Sequence, residues 1–266
     1  MPEQELFATF PAGRRTWVVA SVHGEVDRLE ALHSQLQARI RVGDSLVYLG
    51  NLVGRGPRVF ETIQQVLLFR RALLARPDAD CADIVFLRGS QEEMWHRLLQ
   101  IQFAVNPSQV LKWMLDHGIE STIAAYGSTA AEGLFAASKG AVALTEWTSR
   151  LRAAMRAADG HNALMSALRR AAYTEDQTLL FVNAGVDVSR PLSQQFDSFW
   201  WGATSFDSIT TPFNNFRRVV RGFDSRRRGI VVSEMTASVD GGCGRGGPLH
   251  AVCFDAAGDP VETLEA

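Results

Sequence analysis

The sequence has little cysteine, little net charge and no long apolar run, and each of these absences excludes a class of protein. Its three cysteines, Cys81, Cys243 and Cys253, are odd in number and widely spaced. That pattern favours reduced thiols in a cytoplasm and shows no zinc-ligand spacing. The formal net charge is −2, so no overall field would attract nucleic acid or an anionic membrane. No apolar run approaches the roughly 20 residues that span a bilayer.

Other absences concern targeting and domain organisation. Residues 1–10 lack a basic segment followed by an apolar core, so we expect no signal peptide and a cytoplasmic location. There is no internal repeat and no low-complexity linker, which predicts a single domain over residues 1–266. Apolar residues make up 46% and charged residues 21%, an ordinary balance with ample material for a core.

The first 92 residues repeat a strand, loop and helix pattern. Apolar runs at 16–22, 45–49 and 83–87 predict buried strands, and helical spacing of apolar residues predicts helices at 27–40 and 59–74. Each strand runs into a glycine-containing loop. This is typical of α/β proteins, in which ligands bind at the carboxyl ends of the strands.

The rest of the chain changes character twice. Residues 93–175 are predicted to be a helical insert, with alanine-rich segments at 130–143 and 151–172. Strands then resume, and the expected runs are 179–182, 217–220, 229–232, 237–239 and 249–254. The last dozen residues are predicted to be a loosely held tail.

Five strand ends present short loops that carry a shared signature. The loops are SVHG at 21–24, GN at 50–51, RGSQE at 88–92, NAG at 183–185 and GFD at 222–224. Their order resembles the calcineurin-like metallophosphoesterases, in particular the bacterial serine/threonine phosphatase and diadenosine-tetraphosphate hydrolase branch. That family reads Asp-x-His-Gly, Gly-Asp-x-x-Asp-Arg-Gly, Arg-Gly-Asn-His-Glu, His-Ala-Gly and a late Gly-His.

The resemblance runs from about residue 17 to 254. It includes an insert pattern at 113–127 and a late glycine-rich segment at 240–249. It implies an α/β fold with a central β-sandwich flanked by helices, in four layers (α/β/β/α), together with the helical insert.

The same resemblance implies a two-metal centre of manganese, iron or zinc ions held by six side chains. The corresponding positions are Ser21, His23, Asn51, Ser90, Asn183 and Phe223. Only His23 keeps the family's residue type. Two divalent ions roughly 3.5–4 Å apart repel strongly and need carboxylates between them. Since those carboxylates are replaced by neutral side chains, we expect no metal cofactor.

The proton-handling positions have changed as well. The family's proton-donating histidine corresponds to Gln91, and its supporting aspartate corresponds to Gly54. Neither residue exchanges a proton near neutral pH. We therefore expect no catalytic residue and no ordinary dinuclear phosphoesterase reaction.

Some residues that remain allow two interpretations. Arg55 matches the family's phosphate-contacting arginine, and a guanidinium holds phosphate without a metal. Alternatively, Arg55 ties its loop to a carbonyl or to Glu92. A second family arginine corresponds to Ala203. His23 is more simply a hydrogen-bonded structural histidine than a lone ligand, and Asp224 is a carboxylate that offers a replacement ligand in a rearranged site.

The arginine run at 226–228 also allows two interpretations. A solvated loop is the simpler interpretation, and a phosphate or partner patch is the alternative.

Together these features predict a pseudophosphatase that binds a protein, a phosphoprotein or a nucleotide. The predicted ligand cleft comprises His23, Asn51, Arg55, Arg88, Gln91 and Asn183. A second hypothesis is a weakly active phosphoesterase with a reduced or rearranged metal site. A third is an assembly subunit that forms oligomers and has a vestigial cleft. None of the three involves a membrane, and a nucleic-acid partner is not expected.

Overall fold

The computed structural model describes residues 6–202 and 205–266. They form a five-stranded and a six-stranded β-sheet. One hydrophobic cluster contains side chains of both sheets, such as Val18 and Val252 from one and Phe181 and Val220 from the other. The sheets therefore pack face to face, and the predicted α/β fold with a central β-sandwich is confirmed.

The five-stranded sheet contains the three strands predicted from the first 92 residues. Its members are β2 (Thr16–Val19), β3 (Ser45–Tyr48), β4 (Ile84–Phe86), β10 (His250–Phe254) and β11 (Pro260–Glu265). The order is β11-β10-β2-β3-β4, and β2, β3 and β4 run parallel. Helices α1 (Val26–Arg39) and α2 (Val59–Leu74) follow β2 and β3, as their apolar periodicity predicts.

The six-stranded sheet is built mainly from the second half of the chain. Its members are β1 (Phe7–Phe10), β5 (Ala171–Thr174), β6 (Leu179–Val182), β7 (Arg218–Arg221), β8 (Val231–Val232) and β9 (Thr236–Ser238). The order is β1-β5-β6-β7-β9-β8, and β6, β7 and β9 run parallel. Alternate residues of β6 enter different cores, since Leu179 and Phe181 face the other sheet while Leu180 and Val182 pack in a second cluster.

Six helices lie between β4 and β5. They are α3 (Ser90–Leu98), α4 (Pro107–Asp116), α5 (Glu120–Ala125), α6 (Ala130–Lys139), α7 (Ala141–Ala157) and α8 (His161–Ala167). A short helix, α9 (Ser198–Trp201), follows β6. No helix within residues 6–202 and 205–266 combines the length and apolar character needed to cross a membrane.

Two sequence expectations about secondary structure are wrong. The alanine-rich stretch 151–172 is not one helix, because Ala171 and Ala172 belong to β5 and are buried in different cores. Tertiary packing there overrides the helix propensity of alanine. The C-terminal residues are not a loose tail either, because β11 pairs with β10 and the backbones of Ala266 and Leu249 exchange two hydrogen bonds.

Candidate functional site

The five loops of the sequence signature meet at the carboxyl ends of β2, β3, β4, β6 and β7. Backbone hydrogen bonds join them, and the one from Ser21 to Gly222 crosses between the sheets. The amides of Val22 and His23 donate to the Asn51 carbonyl, at 3.1 and 2.7 Å. Ser21 N donates to Gly222 O at 3.1 Å, and Gly222 N donates to Asn183 O at 3.0 Å. The fold thus brings residues 21, 51, 183 and 222 into one network.

Asn51 is the hub of this network and is fully buried. Its Nδ2 donates to Ser21 Oγ at 3.1 Å. Its Oδ1 accepts from Ser90 Oγ at 3.2 Å and from Gln91 N at 3.0 Å. The position that resembles a bridging aspartate therefore holds a neutral amide whose polar atoms are engaged by neighbouring protein groups.

Asn183 and Phe223 occupy two further positions of the predicted centre. Asn183 is fully buried, and its Nδ2 donates to Leu49 O at 2.6 Å. The ring of Phe223 packs edge-on against the ring of His23, with centroids 5.9 Å apart. A phenyl ring offers no ligand atom, so this position blocks rather than coordinates.

His23 is buried, at 1% exposure, and is held neutral. Burial, followed by the positive charges of Arg55 and Arg245, lowers its pKa to about 3. A contact with the Val53 backbone acts in the opposite direction. Neither ring nitrogen makes a hydrogen bond of normal geometry with any residue in 6–202 or 205–266. The contact with the Val53 backbone is thus the polar interaction that the His23 ring keeps among these residues.

The glycine-rich loop at 240–247 closes over His23. A Cβ added to Gly244 would overlap His23 Cβ, so the loop backbone lies directly on the histidine. The Arg245 guanidinium sits over the Phe223 ring, 5.1 Å from its centroid. Phe223 and this loop together cover the place where the family resemblance puts metal ions.

Gln91 and Gly54 are sterically coupled. Gly54 has φ 84°, and a Cβ added to it would overlap the Gln91 side-chain amide. That amide donates from Nε2 to His117 O at 2.9 Å. Gln91 therefore fills the space that a larger side chain at 54 would need, and the two residues fit each other.

Replacing Gly54 by alanine is expected to cost about 2 kcal/mol of unfolding free energy, part from the positive φ and part from displacing Gln91. In a Gln91→Ala background the cost should fall to about 1 kcal/mol. Urea unfolding of the four proteins measures the coupling. Gly43→Ala is the matched control, because Gly43 has φ 85° and open space around its Cβ position. Equal costs of Gly54→Ala in both backgrounds would contradict the coupling.

Glu92 ties the loop after β3 to the start of α3. It is 2% exposed, and its carboxylate accepts the amides of Asn51 at 2.8 Å, Gly89 at 2.8 Å and Val53 at 3.1 Å. Burial raises its pKa, against the lowering effect of these hydrogen bonds. This carboxylate is structural, because the hydrogen bonds hold the turn that positions Asn51.

Arg55 is half-buried, and its backbone carries the structural ties of its loop. Its amide donates to Gly118 O at 2.9 Å, and Ser121 Oγ donates to its carbonyl at 2.9 Å. The side chain is different, since the guanidinium makes no ion pair with any acidic group in the described ranges, and its buried Nε has no hydrogen-bond partner there. Of the two sequence interpretations, the alternative pairing with Glu92 is not observed.

Arg88 lies apart from this network. Its Nη1 pairs with Glu93 Oε2 at 3.1 Å. It lines a separate cavity of about 290 Å³, bordered by residues of α3, α7 and α8 such as His96 and Met155. Arg88 therefore borders this cavity and does not take part in the hydrogen-bond network around Asn51.

Asp224 is committed to arginines. Its Oδ2 lies 2.9 Å from Arg221 Nη2 and 2.7 Å from Arg228 Nε, and its Oδ1 accepts from Arg226 N at 3.0 Å. Burial alone would raise the pKa of Asp224, but the Arg228 hydrogen bond and the nearby charges hold it below its usual value. The carboxylate thus serves an ion-pair network instead of offering free oxygens to a cation.

The three arginines at 226–228 differ in their tertiary contacts. Arg226 and Arg228 each pair with Asp207 at 2.7 Å, whereas Arg227 is exposed and has no ion pair with the residues in 6–202 and 205–266. Arg227 and Arg245 are the site residues that sequence reasoning did not single out. The signal for Arg227 was the run itself, but nothing in the run distinguishes its three members.

The donor set of this centre does not fit a pair of divalent cations. Its oxygens belong to neutral amides and hydroxyls, those of Ser21, Asn51 and Ser90 bond to each other, and one position is a phenyl ring. Across the described part of the chain, no group of three or more histidine, cysteine, aspartate or glutamate side chains has a metal-binding arrangement. Ala203, assigned to the family's second arginine, and residues 1–5 lie outside the described residues.

No family model matches the chain, and no curated protein matches it in sequence. Solved structures do match. A protein assigned as a diadenosine tetraphosphatase is 18% identical, with 98% of both chains covered and a TM-score of 0.56. A cold-active protein tyrosine phosphatase is 13% identical, covering 99% of this chain and 83% of that one, with a TM-score of 0.54.

A protein serine/threonine phosphatase from Saccharomyces cerevisiae is 12% identical, covering 98% of this chain and 84% of that one, with a TM-score of 0.52. At such identities the likeness shows the fold. The chain has the metallophosphoesterase fold over nearly its whole length, as the order of its loop motifs predicts.

Proposed function

We propose that this protein is a catalytically inactive relative of the calcineurin-like metallophosphoesterases, a pseudophosphatase that acts by binding a partner. The observation that carries the proposal is the closed, neutral network around Asn51. An active centre of this type needs carboxylates and imidazoles that face an open cleft. Here the hub amide bonds to Ser21, Ser90 and the backbone of Gln91, beneath a covering Phe223 ring.

The chemistry of the individual side chains supports the same conclusion. Hydrolysis of a phosphate ester at such a centre needs an activated water and a proton donor for the leaving group. Gln91 does not exchange protons, and His23, with a pKa of about 3, is neutral in the physiological range and shielded from solvent. The alternative of a rearranged site would need Asp224, whose oxygens are taken by Arg221 and Arg228.

The proposed partner carries a phosphate group, as part of a phosphoprotein or a nucleotide. The structurally similar proteins are named for diadenosine tetraphosphate and for protein serine/threonine or tyrosine phosphate. This protein would bind such a ligand without turning it over. No resident cofactor is proposed, and neither is a membrane or nucleic-acid partner.

We expect the purified protein, after exposure to manganese and zinc, to retain less than about a tenth of an ion per chain, because neutral oxygens bind divalent ions weakly. It should not hydrolyse p-nitrophenyl phosphate. Elemental analysis and an absorbance assay test this. Stoichiometric metal together with turnover would overturn the proposal.

A positive control restores the family's residue types at the five changed metal positions and at Gln91. The substitutions are Ser21→Asp, Asn51→Asp, Ser90→Asn, Gln91→His, Asn183→His and Phe223→His. This variant is expected to retain more metal than the wild type in the same analysis, because it regains two carboxylates and two imidazole ligands.

A further inference from the structure

Three arginines on three different segments converge beside the closed centre. They are Arg55 after β3, Arg227 after β7, and Arg245 in the 240–247 loop. None of them makes an ion pair with an acidic group in the part of the chain that the structure describes, whereas Arg226 and Arg228, on the same turn as Arg227, are paired with Asp207. The three are thus a local excess of positive charge in a protein with a net charge of −2.

Packing fixes where these arginines lie. The Arg55 side chain lies against Gly118, where an added Cβ would be 2.7 Å from Arg55 Cγ. Arg245 covers Phe223, which contacts His23. The Arg227 stem lies beside Gly242 in the same loop as Arg245, 3.9 Å from a Cβ placed there.

Within this group of three, the positive charge of one arginine acts on the pKa of another. The pKa of Arg55 is lowered by burial and then by Arg245 and Arg227, and the pKa of Arg245 is lowered by burial and then by Arg227. Asp240 opposes the shift of Arg245, but its carboxylate is buried and accepts the amides of Asp224 and Gly242. Three cations without a bound counter-ion repel one another, and an anion between them removes that cost.

A second, independent observation comes from the polar atoms beneath the arginines. Both ring nitrogens of His23, Gln91 Oε1 and Arg55 Nε are buried and have no hydrogen-bond partner of normal geometry among the described residues. Buried polar groups are rarely left unpaired, because each such group costs about 1–3 kcal/mol. Gln91 Oε1 is an acceptor and does not bond to an anion, but Arg55 Nε is a donor, and one ring nitrogen of the neutral His23 carries a proton. His23 is more than nine-tenths buried, so its N–H and that of Arg55 are donors that an anionic ligand would satisfy.

We propose that Arg55, Arg227 and Arg245 form a metal-free binding site for the dianion of a phosphate monoester. Guanidinium groups match phosphate oxygens through paired N–H donors. Three of them supply the positive charge that metal ions supply in a catalytic centre, but they activate no water. The inference rests on the proposed function, because it assumes that no metal competes for the phosphate.

Calorimetric titration in the presence of a chelator tests the site, with inorganic phosphate, O-phosphoserine and adenosine monophosphate as probes. At least one probe should bind the wild type. Arg227→Gln and Arg245→Gln should each weaken binding about tenfold, because a charge-assisted contact is lost. Arg226→Gln is the matched control. It removes the same charge from the neighbouring residue, but Arg226 already pairs with Asp207. Its affinity should match that of the wild type.

Arg227 is exposed, so its variant is expected to fold, which circular dichroism checks. Equal affinities in Arg226→Gln and Arg227→Gln would overturn the site, and so would binding that disappears when metal is removed. Absence of binding by all three probes would also overturn it and would favour an assembly subunit. A preference for phosphoserine would identify a phosphoprotein as the source of the phosphate, and a preference for the nucleotide would identify a nucleotide.

These outcomes are separable from failure of the proposed function. Metal content and turnover of p-nitrophenyl phosphate decide whether the protein is catalytic. Phosphate affinity under chelation decides whether the arginine site exists. A protein without turnover and without phosphate affinity would keep the proposed catalytic inactivity and lose both the arginine site and the phosphate-carrying partner.

Discussion

Replacing Glu92 by alanine is expected to lower the free energy of unfolding by about 4 kcal/mol, the largest effect of any single substitution considered for this protein. The carboxylate accepts backbone amides of Asn51, Val53 and Gly89, and all of these bonds are buried. Alanine would leave the donors without a partner where water does not reach, and each unpaired donor costs about 1–3 kcal/mol. Urea unfolding followed by circular dichroism measures the loss.

The neighbouring Glu93 is the matched control. Its carboxylate pairs with Arg88 and Arg97, both partly exposed, and its side chain is 7% exposed. Because those partners regain water when the glutamate is removed, Glu93→Ala should cost about 1 kcal/mol. Glu92→Gln keeps one acceptor oxygen and should give an intermediate loss. If Glu92→Ala costs no more than Glu93→Ala, the hydrogen bonds from the backbone amides to Glu92 add no more to stability than the ion pairs of Glu93.

Acid is expected to destabilise the protein steeply below pH 6.5, because the rings of His23 and His33 are buried in the neutral form. Burial lowers the pKa of both His23 and His33 from 6.5 to about 3. His33 is stacked on Phe69 at 4.0 Å and hydrogen-bonded to the Tyr48 hydroxyl at 2.7 Å. The unfolded chain binds protons at these residues below pH 6.5, whereas the folded chain does so only near pH 3.

These pKa values determine whether stability rises or falls with pH. The folded pKa is depressed, so the histidines' contribution is fully present above pH 6.5 and is lost as the pH falls toward 3. Each histidine adds a slope of up to about 1.4 kcal/mol per pH unit. The pKa of Glu92 and that of Asp240 are raised by burial. These two carboxyls therefore act in the opposite direction and partly offset the loss on acidification.

Unfolding free energies at several pH values between 7 and 5 test this, since most carboxyls remain ionised over that range. His33→Phe preserves the stacking on Phe69 and should reduce the slope by up to about 1.4 kcal/mol per pH unit, even though it also lowers stability at neutral pH. His23→Gln should reduce the slope similarly. Slopes equal to that of the wild type in both variants would show that these rings do not resist protonation in the folded protein.

Much of the fold follows from local patterns in the sequence. Helix α2 begins and ends where the apolar spacing of residues 59–74 predicts, and β6 has the predicted bounds of 179–182. Each of these elements buries one face, and the spacing of the apolar residues that form this face is visible within a single segment of the sequence. Strands β1, β5 and β11 were missed, since short, alanine-rich or partly polar segments become strands only when a neighbouring strand is available to pair with them.

The sequence also predicted one part of the candidate site and missed another. The order of the loop motifs indicates which residues gather, and the structure brings together residues 21, 51, 90 and 183. Nothing in the sequence indicates that Arg245 lies over Phe223, or that Gln91 fills the space beside Gly54. Those contacts join loops far apart in the chain.

What the sequence determined by itself is the chemistry that each loop carries. Whether a side chain has a negative charge, an imidazole or a phenyl ring is a property of the residue, so residue 51 is a neutral amide and residue 223 a phenyl ring in any geometry. Which charges are satisfied was decided only by the tertiary structure. Arg226, Arg227 and Arg228 are identical in the sequence, but Asp207 reaches only the first and the last. Pairing depends on distances between segments that are remote in the chain, and these distances exist only once the chain has folded.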